Sequence, residues 1–282
     1  PILGDVNGDG KLDLVVGSRG VGSVRLRAYD GRGNGLLDVR GAAMVQGETR
    51  PQLVREGVVY FVAKSIFNME PKIVGAAAAG QEEPLWSIAL GQVPTGLTVG
   101  SDGRLALSGR GVYRSGEPAP MEPATNRREH AAIVLEPSGD LASYRPLGPV
   151  AQEGYFRDGA ISGVETRLFD LDNDGADELV TLTERVSELY GGPTELTLHD
   201  PEGEVIARID GPGQTAGQPA LLTGAAGKSL LVAWSQAGRL ELYDRRLQLL
   251  TSREFTGTVH ELRIRQTGDL DGDGEEEILL SD

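Results

Sequence analysis

Residues 170–180 read DLDNDGADELV, and this stretch is the strongest indication of the fold in the chain. Acidic side chains stand at its positions 1, 3, 5 and 9, and Gly175 stands at position 6; the acids are Asp170, Asp172, Asp174 and Glu178. Carboxylates at alternate positions converge on one point only if the backbone curls around it, and a glycine permits that sharp turn. Because a hard cation with six to eight oxygen ligands suits such a ring, the stretch predicts a calcium loop.

The same spacing occurs twice more, near the start and near the end of the chain. The first copy supplies Asp5, Asn7, Asp9 and Asp13, and the last supplies Asp269, Asp271, Asp273 and Glu277. Position 7 would contribute its backbone carbonyl, from Lys11, Ala176 and Glu275. Three copies in one register predict about three calcium sites. We call them loop one (5–13), loop two (170–178) and loop three (269–277).

A calcium loop between two helices, the EF-hand, is the first alternative. It requires flanking helices and a bidentate Glu at position 12. Position 12 is Val16, Thr181 and Leu280 in the three copies. The segments that follow, such as LDLVVG and ELVTLT, are rich in Val, Leu and Thr, which is typical of strands. Each loop is therefore predicted to join two strands.

The strand–DxDxDGxxD–strand unit resembles the FG-GAP or VCBS repeat of calcium-binding β-propellers, the fold of the integrin α-subunit head. The resemblance covers the three loops and their flanking strands, which are a minority of the chain. It implies a calcium ion in each propeller blade that carries such a loop. It also implies that ligand contacts lie on the face opposite the calcium loops.

The distances between the loops indicate the repeat length. Asp5 and Asp170 are 165 residues apart, or three units of about 55, and Asp269 follows after two units of about 50. A repeat near 50 residues with four strands is typical of a propeller blade. The fold class is therefore predicted to be all-β, a β-propeller of about six four-stranded blades in a single domain (1–282), with the last blade incomplete in this chain. The predicted blades are roughly 1–45, 46–94, 95–150, 151–212, 213–256 and 257–282.

Apolar hairpins closed by glycine-containing turns continue the repeat between the calcium loops. Inner hairpins are predicted at 52–63, 97–107 and 220–234, and outer hairpins at 24–39, 72–88, 132–144, 195–209 and 239–252. The inner strands are continuously apolar, which indicates burial among neighbouring blades. The outer strands alternate, because one edge of each blade meets water.

Composition limits the classes of partner. The net charge is −15, most of it in the three loops, and no basic stripe is present that could replace the counterions of a duplex. We therefore expect no nucleic-acid partner. The absence of cysteine excludes disulfides and thiolate metal sites. The longest uncharged apolar run, 73–80, is too short to cross a bilayer, so no membrane span is predicted.

The connections between the second and third strands differ in length among the blades. They are short in blades one and five and long in blades two, three and four, and long irregular loops often carry function. With the connection into blade four, they form the predicted ligand face. Its residues are Tyr113, Arg114, Arg127, Arg128, Tyr155, Phe156 and Tyr190. The alternatives are plain surface variation and, for Tyr155 and Phe156, packing between blades.

The expected function is a calcium-stabilised module that binds a protein or glycan, or acts as a scaffold, without catalysis of its own. Weak structural calcium sites fill in millimolar extracellular calcium, which favours an extracellular, cell-surface or periplasmic location. One alternative is a carbohydrate-active enzyme, because some polysaccharide lyases resemble this propeller. That function needs carboxylate, basic and aromatic residues in one cleft. Another alternative is a pilus- or adhesin-associated module of a larger protein, since the chain begins with Pro1 and its last blade is incomplete.

Overall fold

The computed structural model describes residues 1–65, 72–111, 129–150, 160–185, 194–211, 219–224, 227–234, 237–255, 262–273 and 276–281. Within these ranges the chain forms twenty-one β-strands and no helix. It accordingly contains, over the same residues, no helical segment that could span a bilayer. The all-β class predicted from the sequence is confirmed.

The first sheet has seven strands in sequence order. They are β1 (Ile2–Gly4), β2 (Asp13–Gly17), β3 (Arg19–Tyr29), β4 (Gly35–Arg55), β5 (Val58–Ser65), β6 (Lys72–Ala78) and β7 (Trp86–Leu90). The predicted boundary between the first two blades, at 45/46, falls inside β4. The strand is continuous there because Glu48 pairs with Arg19 of β3 on one side and with Lys64 of β5 on the other.

Three further sheets have four strands each, and a fifth has two. The second sheet contains β8 (Val93–Val99), β9 (Leu105–Arg110), β10 (Glu129–Leu135) and β11 (Leu141–Pro149), and the third contains β12 (Ile161–Phe169), β13 (Glu178–Arg185), β14 (Thr194–His199) and β15 (Val205–Asp210). The fourth contains β16 (Ala220–Gly224), β17 (Gly227–Trp234), β18 (Arg239–Tyr243) and β19 (Leu249–Glu254), and the fifth contains β20 (Arg263–Gly268) and β21 (Glu277–Ser281). Every sheet follows sequence order, which is the up-and-down pattern of a propeller blade.

The predicted hairpins are present where their residues are described. In the inner hairpin of the fourth sheet, Ala220 pairs with Leu231, and in the outer hairpin of the third sheet Leu196 pairs with Ile209. Both pairings are antiparallel, and each is closed by a short local connection. Because short connections join these neighbouring strands, the sequence pattern predicts their pairing.

The chain divides into two compact units. The first comprises residues 1–97 and 108–145, and the second comprises 98–107 and 146–282. The core of the first unit forms where the inward-facing residues of β2 to β5 meet, and it includes Val15, Leu26, Val39, Val59 and Phe61. The hydrophobic core of the first unit is therefore formed by strands of the seven-stranded sheet.

In the second unit, β17 is buried on both faces. Leu230, Val232 and Trp234 belong to the core cluster that contains Leu196 and Leu198 of β14. Leu231 and Ala233, on the opposite face, belong to the cluster that includes residues of β20 and β21. Side chains alternate across a strand, so a strand between two neighbouring sheets must be continuously apolar.

The outermost strands are more exposed than the inner ones, but the predicted alternation holds only in part. All six residues of β19 are exposed, and β15 alternates between exposed and half-buried positions from Ile206 to Asp210. Four-stranded up-and-down sheets with buried inner strands and solvated outer edges are the blades of a β-propeller, which is the fold class of the chain.

Candidate metal centres

Each acidic loop joins the first two strands of a sheet segment. Loop one connects β1 to β2, loop two connects β12 to β13, and loop three connects β20 to β21. The predicted strand–loop–strand context is therefore confirmed for all three copies. An EF-hand is excluded, because the flanking elements are strands.

One side-chain hydrogen bond recurs in all three loops, between the position-3 oxygen and the backbone N–H of position 5. The distances are 2.9 Å from Asp9 N to Asn7 Oδ1, 3.2 Å from Asp174 N to Asp172 Oδ1, and 3.1 Å from Asp273 N to Asp271 Oδ1. Such turns fix the curl of the backbone locally. Each carboxylate at position 3 keeps its second oxygen for another partner.

A second recurrent bond ties the end of each loop to its start. The position-9 carboxylate accepts the backbone N–H of position 2, at 2.9 Å from Val6 N to Asp13 Oδ2, 2.8 Å from Leu171 N to Glu178 Oε2, and 2.7 Å from Leu270 N to Glu277 Oε2. In loops one and two this bond is buried. The position-9 carboxylate therefore closes the loop through one oxygen, and its second oxygen is the candidate ligand.

The backbone turns sharply at two positions in each loop. Position 6 has positive φ in loops one and two, 78° at Gly10 and 88° at Gly175, as its glycine predicts. Position 4 also has positive φ in all three loops, at Gly8 (75°), Asn173 (65°) and Gly272 (86°). Sequence reasoning missed this second turn. Its signal was present, because glycine and asparagine are the residues that adopt this region most readily.

The structure brings three carboxylates together in loops two and three. In each, one oxygen from every acid at positions 1, 3 and 5 lies within 4.8 Å of the others; the acids are Asp170, Asp172 and Asp174, and Asp269, Asp271 and Asp273. The convergence itself is what the spacing predicts.

Loop one differs because an amide, Asn7, stands at position 3. The carboxylate of Asp5 accepts three backbone N–H groups, from Gly8 at 2.7 Å, Asp9 at 3.1 Å and Gly10 at 2.8 Å. Lys11 lies 3.8 Å from Asp9 in an exposed ion pair. The loop therefore has fewer negative charges than loops two and three, and more of its acidic oxygens are already bonded.

Loop two passes a direct test of fit to a hard cation. Asp170 Oδ1 is buried and has no hydrogen-bond partner among the described residues. Burial raises the pKa of the Glu178 carboxyl, the Leu171 N–H opposes that rise, and the charges of Asp172 and Asp174 reinforce it. An oxygen-only donor set in which three carboxylates converge suits calcium or magnesium rather than a soft metal.

Two cations from the fourth sheet reach loop two. Lys228 Nζ donates to the Asp170 carbonyl oxygen at 2.6 Å and to Asp170 Oδ2 at 3.2 Å, and Arg245 lies 3.8 Å from Asp172. Lys228 thus engages one carboxylate oxygen of Asp170, and the buried Oδ1 has no hydrogen-bond partner among the described residues. Sequence reasoning missed this contact, because Lys228 lies 58 residues from Asp170 along the chain.

The acid at position 8 is an anchor rather than a ligand. Asp177 is 2% exposed and accepts both the Ser101 N–H at 2.6 Å and the Ser101 hydroxyl at 3.0 Å. Burial raises the pKa of the Asp177 carboxyl, and the Ser101 hydroxyl opposes this. In loop three, Glu276 accepts the Thr223 N–H at 2.6 Å. These three bonds attach loops two and three to the inner hairpins of other sheets.

The backbone N–H groups of two position-7 residues are hydrogen-bonded within their loops, and other predicted site residues lie outside the described ones. At position 7, the N–H of Lys11 donates to Asp9 Oδ1 at 2.9 Å, and that of Ala176 donates to Asp174 Oδ1 at 2.8 Å. Glu275 lies outside the described residues. So do all seven residues of the predicted ligand face: Tyr113, Arg114, Arg127, Arg128, Tyr155, Phe156 and Tyr190.

Comparison with known sequences identifies one repeat. Residues 2–35, which contain loop one, match the sequence model of the FG-GAP repeat. The start of the chain is therefore an FG-GAP repeat. A search of curated proteins finds no match to this sequence.

Several solved structures match this chain at low sequence identity. A protein of unknown function from Bacteroides caccae is 13% identical over 66% of this chain and 55% of its own, with a TM-score of 0.35. Hydrazine synthase of Kuenenia stuttgartiensis is 13% identical over 79% of this chain and 60% of its own, with a TM-score of 0.47. The biofilm matrix protein Bap1 of V. cholerae is 12% identical over 99% of this chain and 76% of its own, with a TM-score of 0.34. The chain thus spans less than two thirds of the length of the first two proteins.

Proposed function

We propose that this chain, a β-propeller with an FG-GAP repeat at its start, is a calcium-stabilised binding or scaffold module that works outside the cytosol. The observation that carries the proposal is the buried, unpartnered Oδ1 of Asp170 within a cluster of three carboxylates. A buried charged oxygen without a partner is costly, and a cation would satisfy it. The recurrence of the same loop closure in three places supports a common role.

Calcium would act on stability through the strands that the loops join. The ion would be held in loop two by Asp170, Asp172, Asp174 and Glu178, and in loop three by Asp269, Asp271, Asp273 and Glu277. Without a cation, three carboxylates within 4.8 Å repel one another. A bound cation would attract each carboxylate and outweigh that repulsion, and it would hold the first two strands at a fixed separation in the sheets that carry a loop.

Calorimetric titration of chelated protein with calcium tests the metal proposal. We expect about three equivalents, with loop one the weakest, because Asn7 and the bonded Asp5 give it fewer available anionic oxygens. Asp172→Ala should remove one equivalent. Asp210→Ala is the matched control, since Asp210 is an exposed acid outside the loops. Binding of one equivalent or none, or an equal loss in both variants, would overturn the proposal.

The same titration tests the proposed location. Extracellular calcium modules bind with dissociation constants of about 10⁻⁴–10⁻³ M, whereas cytosolic buffers bind at about 10⁻⁹–10⁻⁸ M. A dissociation constant in the first range supports an extracellular, cell-surface or periplasmic protein. A value in the second range contradicts it, because the sites would then fill in the cytosol.

A protein or glycan is the proposed partner, bound by the long loops opposite the calcium loops. This part of the proposal rests on loop length and on the resemblance to integrin-like propellers. Replacing residues 115–128 with a short Gly-Ser linker should abolish capture on a glycan or protein array while the melting temperature stays within about a degree of the unmodified chain, because surface loops contribute little core. Unchanged capture would exclude this face.

A further inference from the structure

A cavity of about 390 Å³ lies in the second compact unit, beside the first strands of three successive sheets. Its walls come from β12, β16 and β20, and the lining includes Arg167, Phe169, Leu221, Ile264, Arg265 and Gln266. The volume is in the range of small-molecule sites, which begins at about 300 Å³. It is separate from the calcium loops, and none of the predicted metal ligands lines it.

Arg167 faces this cavity because of the alternation along β12. Val164, Thr166 and Leu168 are buried on one face of the strand, and Arg167 and Phe169 lie on the other. The Nε atom of Arg167 is buried and has no hydrogen-bond partner among the residues that the structure describes. A buried donor on a charged group that lacks a partner is costly and calls for an acceptor.

Charge at the cavity is opposite to the charge of the protein. Two guanidinium groups, those of Arg167 and Arg265, and no carboxylate are present among the described lining residues, although the chain has a net charge of −15. Arg265 is held in place by a 2.7 Å bond from its Nε to the Ser281 hydroxyl. Burial lowers the pKa of Arg167, and the carboxylate of Glu165 opposes that change. An anion in the cavity would stabilise the charged form of Arg167.

The remaining lining indicates which kind of anion fits. Phe169, Leu221 and Ile264 offer apolar surface, which suits the carbon skeleton of a ligand better than the hydration shell of an inorganic ion. A guanidinium matches a planar carboxylate with two parallel hydrogen bonds. We propose that this cavity binds a small organic carboxylate, with Arg167 as the principal ligand of the carboxylate and Arg265 as a second cation.

Binding of benzoate, followed by NMR at constant free calcium, tests the proposal. Benzoate should shift the Nε–H resonance of Arg167, and benzamide, which has the same shape without the charge, should not. Arg167→Gln should raise the dissociation constant of benzoate about tenfold to a hundredfold, as expected for the loss of bonds to a charged group. Arg265→Gln should raise it less. Arg208→Gln is the matched control, because Arg208 lies on β15 in an ion pair with Glu195 at 3.5 Å, outside the cavity.

Three results would overturn the assignment: no benzoate binding, equal binding of benzamide, or an equal loss in the Arg167 and Arg208 variants. Displacement of benzoate by the same concentration of inorganic phosphate would also overturn it, because the site would then accept any anion. If Arg167→Gln does not fold, Arg167→Lys serves instead, since it keeps the charge and loses the two-pronged donor. The proposal does not depend on calcium, so its failure leaves the proposed metal sites untouched.

Discussion

Substitution of Asp177 by alanine probes the anchor between loop two and the turn at 100–103. The carboxylate accepts two bonds from Ser101, at 2.6 Å from the backbone N–H and 3.0 Å from the hydroxyl, and it is 2% exposed. Gly100 also lies against it, so close that a methyl group at Gly100 would overlap the carboxylate. The anchor therefore joins two segments 76 residues apart.

Two opposing effects decide the magnitude. A hydrogen bond to a charged acceptor contributes about 1.5–3 kcal/mol, so two such bonds set an upper limit near 6 kcal/mol. The burial of the carboxylate offsets part of this, and Ser101 is exposed, so water can replace the lost acceptor. We expect Asp177→Ala to lower the free energy of unfolding by about 2 kcal/mol, which is about 4–8 °C in melting temperature for a chain of this size.

Differential scanning calorimetry in excess calcium measures this change. Asp177→Asn keeps an oxygen acceptor without the buried charge and should cost less than about 1 kcal/mol. Leu12 occupies position 8 of loop one and is 65% exposed, so Leu12→Ala is the matched control and should change stability by less than about 0.5 kcal/mol. The anchor is refuted if Asp177→Ala melts within a degree of the unmodified protein, or if the Ala and Asn variants at 177 are equally unstable.

Chelation of calcium should lower the melting temperature by several degrees. One site contributes about 2.7 kcal/mol to stability when free calcium is at a hundredfold excess over its dissociation constant. An unchanged melting temperature would contradict a structural role for the loops. Gly211→Ala should destabilise the chain by about 1–3 kcal/mol in denaturant titrations, because the added methyl group would overlap the ring of Trp234. Gly31→Ala is its control, since a methyl group there meets nothing within 4 Å, and equal losses in the two variants would show that the overlap is not the cause. Burial and the Glu241 carboxylate raise the pKa of Tyr243, so the folded state keeps a proton that the unfolded state releases. The free energy of unfolding should therefore fall as the pH rises above about 10, and Tyr243→Phe should make this fall less steep. If the variant shows the same pH dependence as the unmodified protein, the fall is caused by other titrating groups.

The sequence by itself determined the features that depend on neighbours along the chain. The curl of each acidic loop follows from acids at alternate positions and from Gly10 and Gly175, and the hairpins follow from apolar runs on either side of short turns. These contacts span few residues, so residue type and spacing specify them. The same reasoning distinguished a loop between strands from an EF-hand, because the flanking residues carry the periodicity of strands.

Other features were fixed only when separate sheets packed together. The fusion of the first two predicted blades depends on Glu48 having pairing partners on both sides, which local pattern does not specify. Spacing marks Glu178 as the predicted ligand of loop two, but it does not indicate the anchoring contact of the adjacent acid, Asp177. Their roles differ because one side chain meets Ser101 and the other meets Leu171.

The cavity beside Arg167 has the same origin. Arg167 and Arg265 lie on strands that are far apart in sequence. In its own segment, each is an ordinary polar residue of an alternating strand. Their proximity is set by how successive sheets align. Alternation along a strand fixes the face on which a side chain lies, because successive residues point to opposite faces. Only the tertiary structure decides which residues lie opposite that side chain. Those residues depend on how separate sheets align, and no single segment of the sequence encodes that alignment.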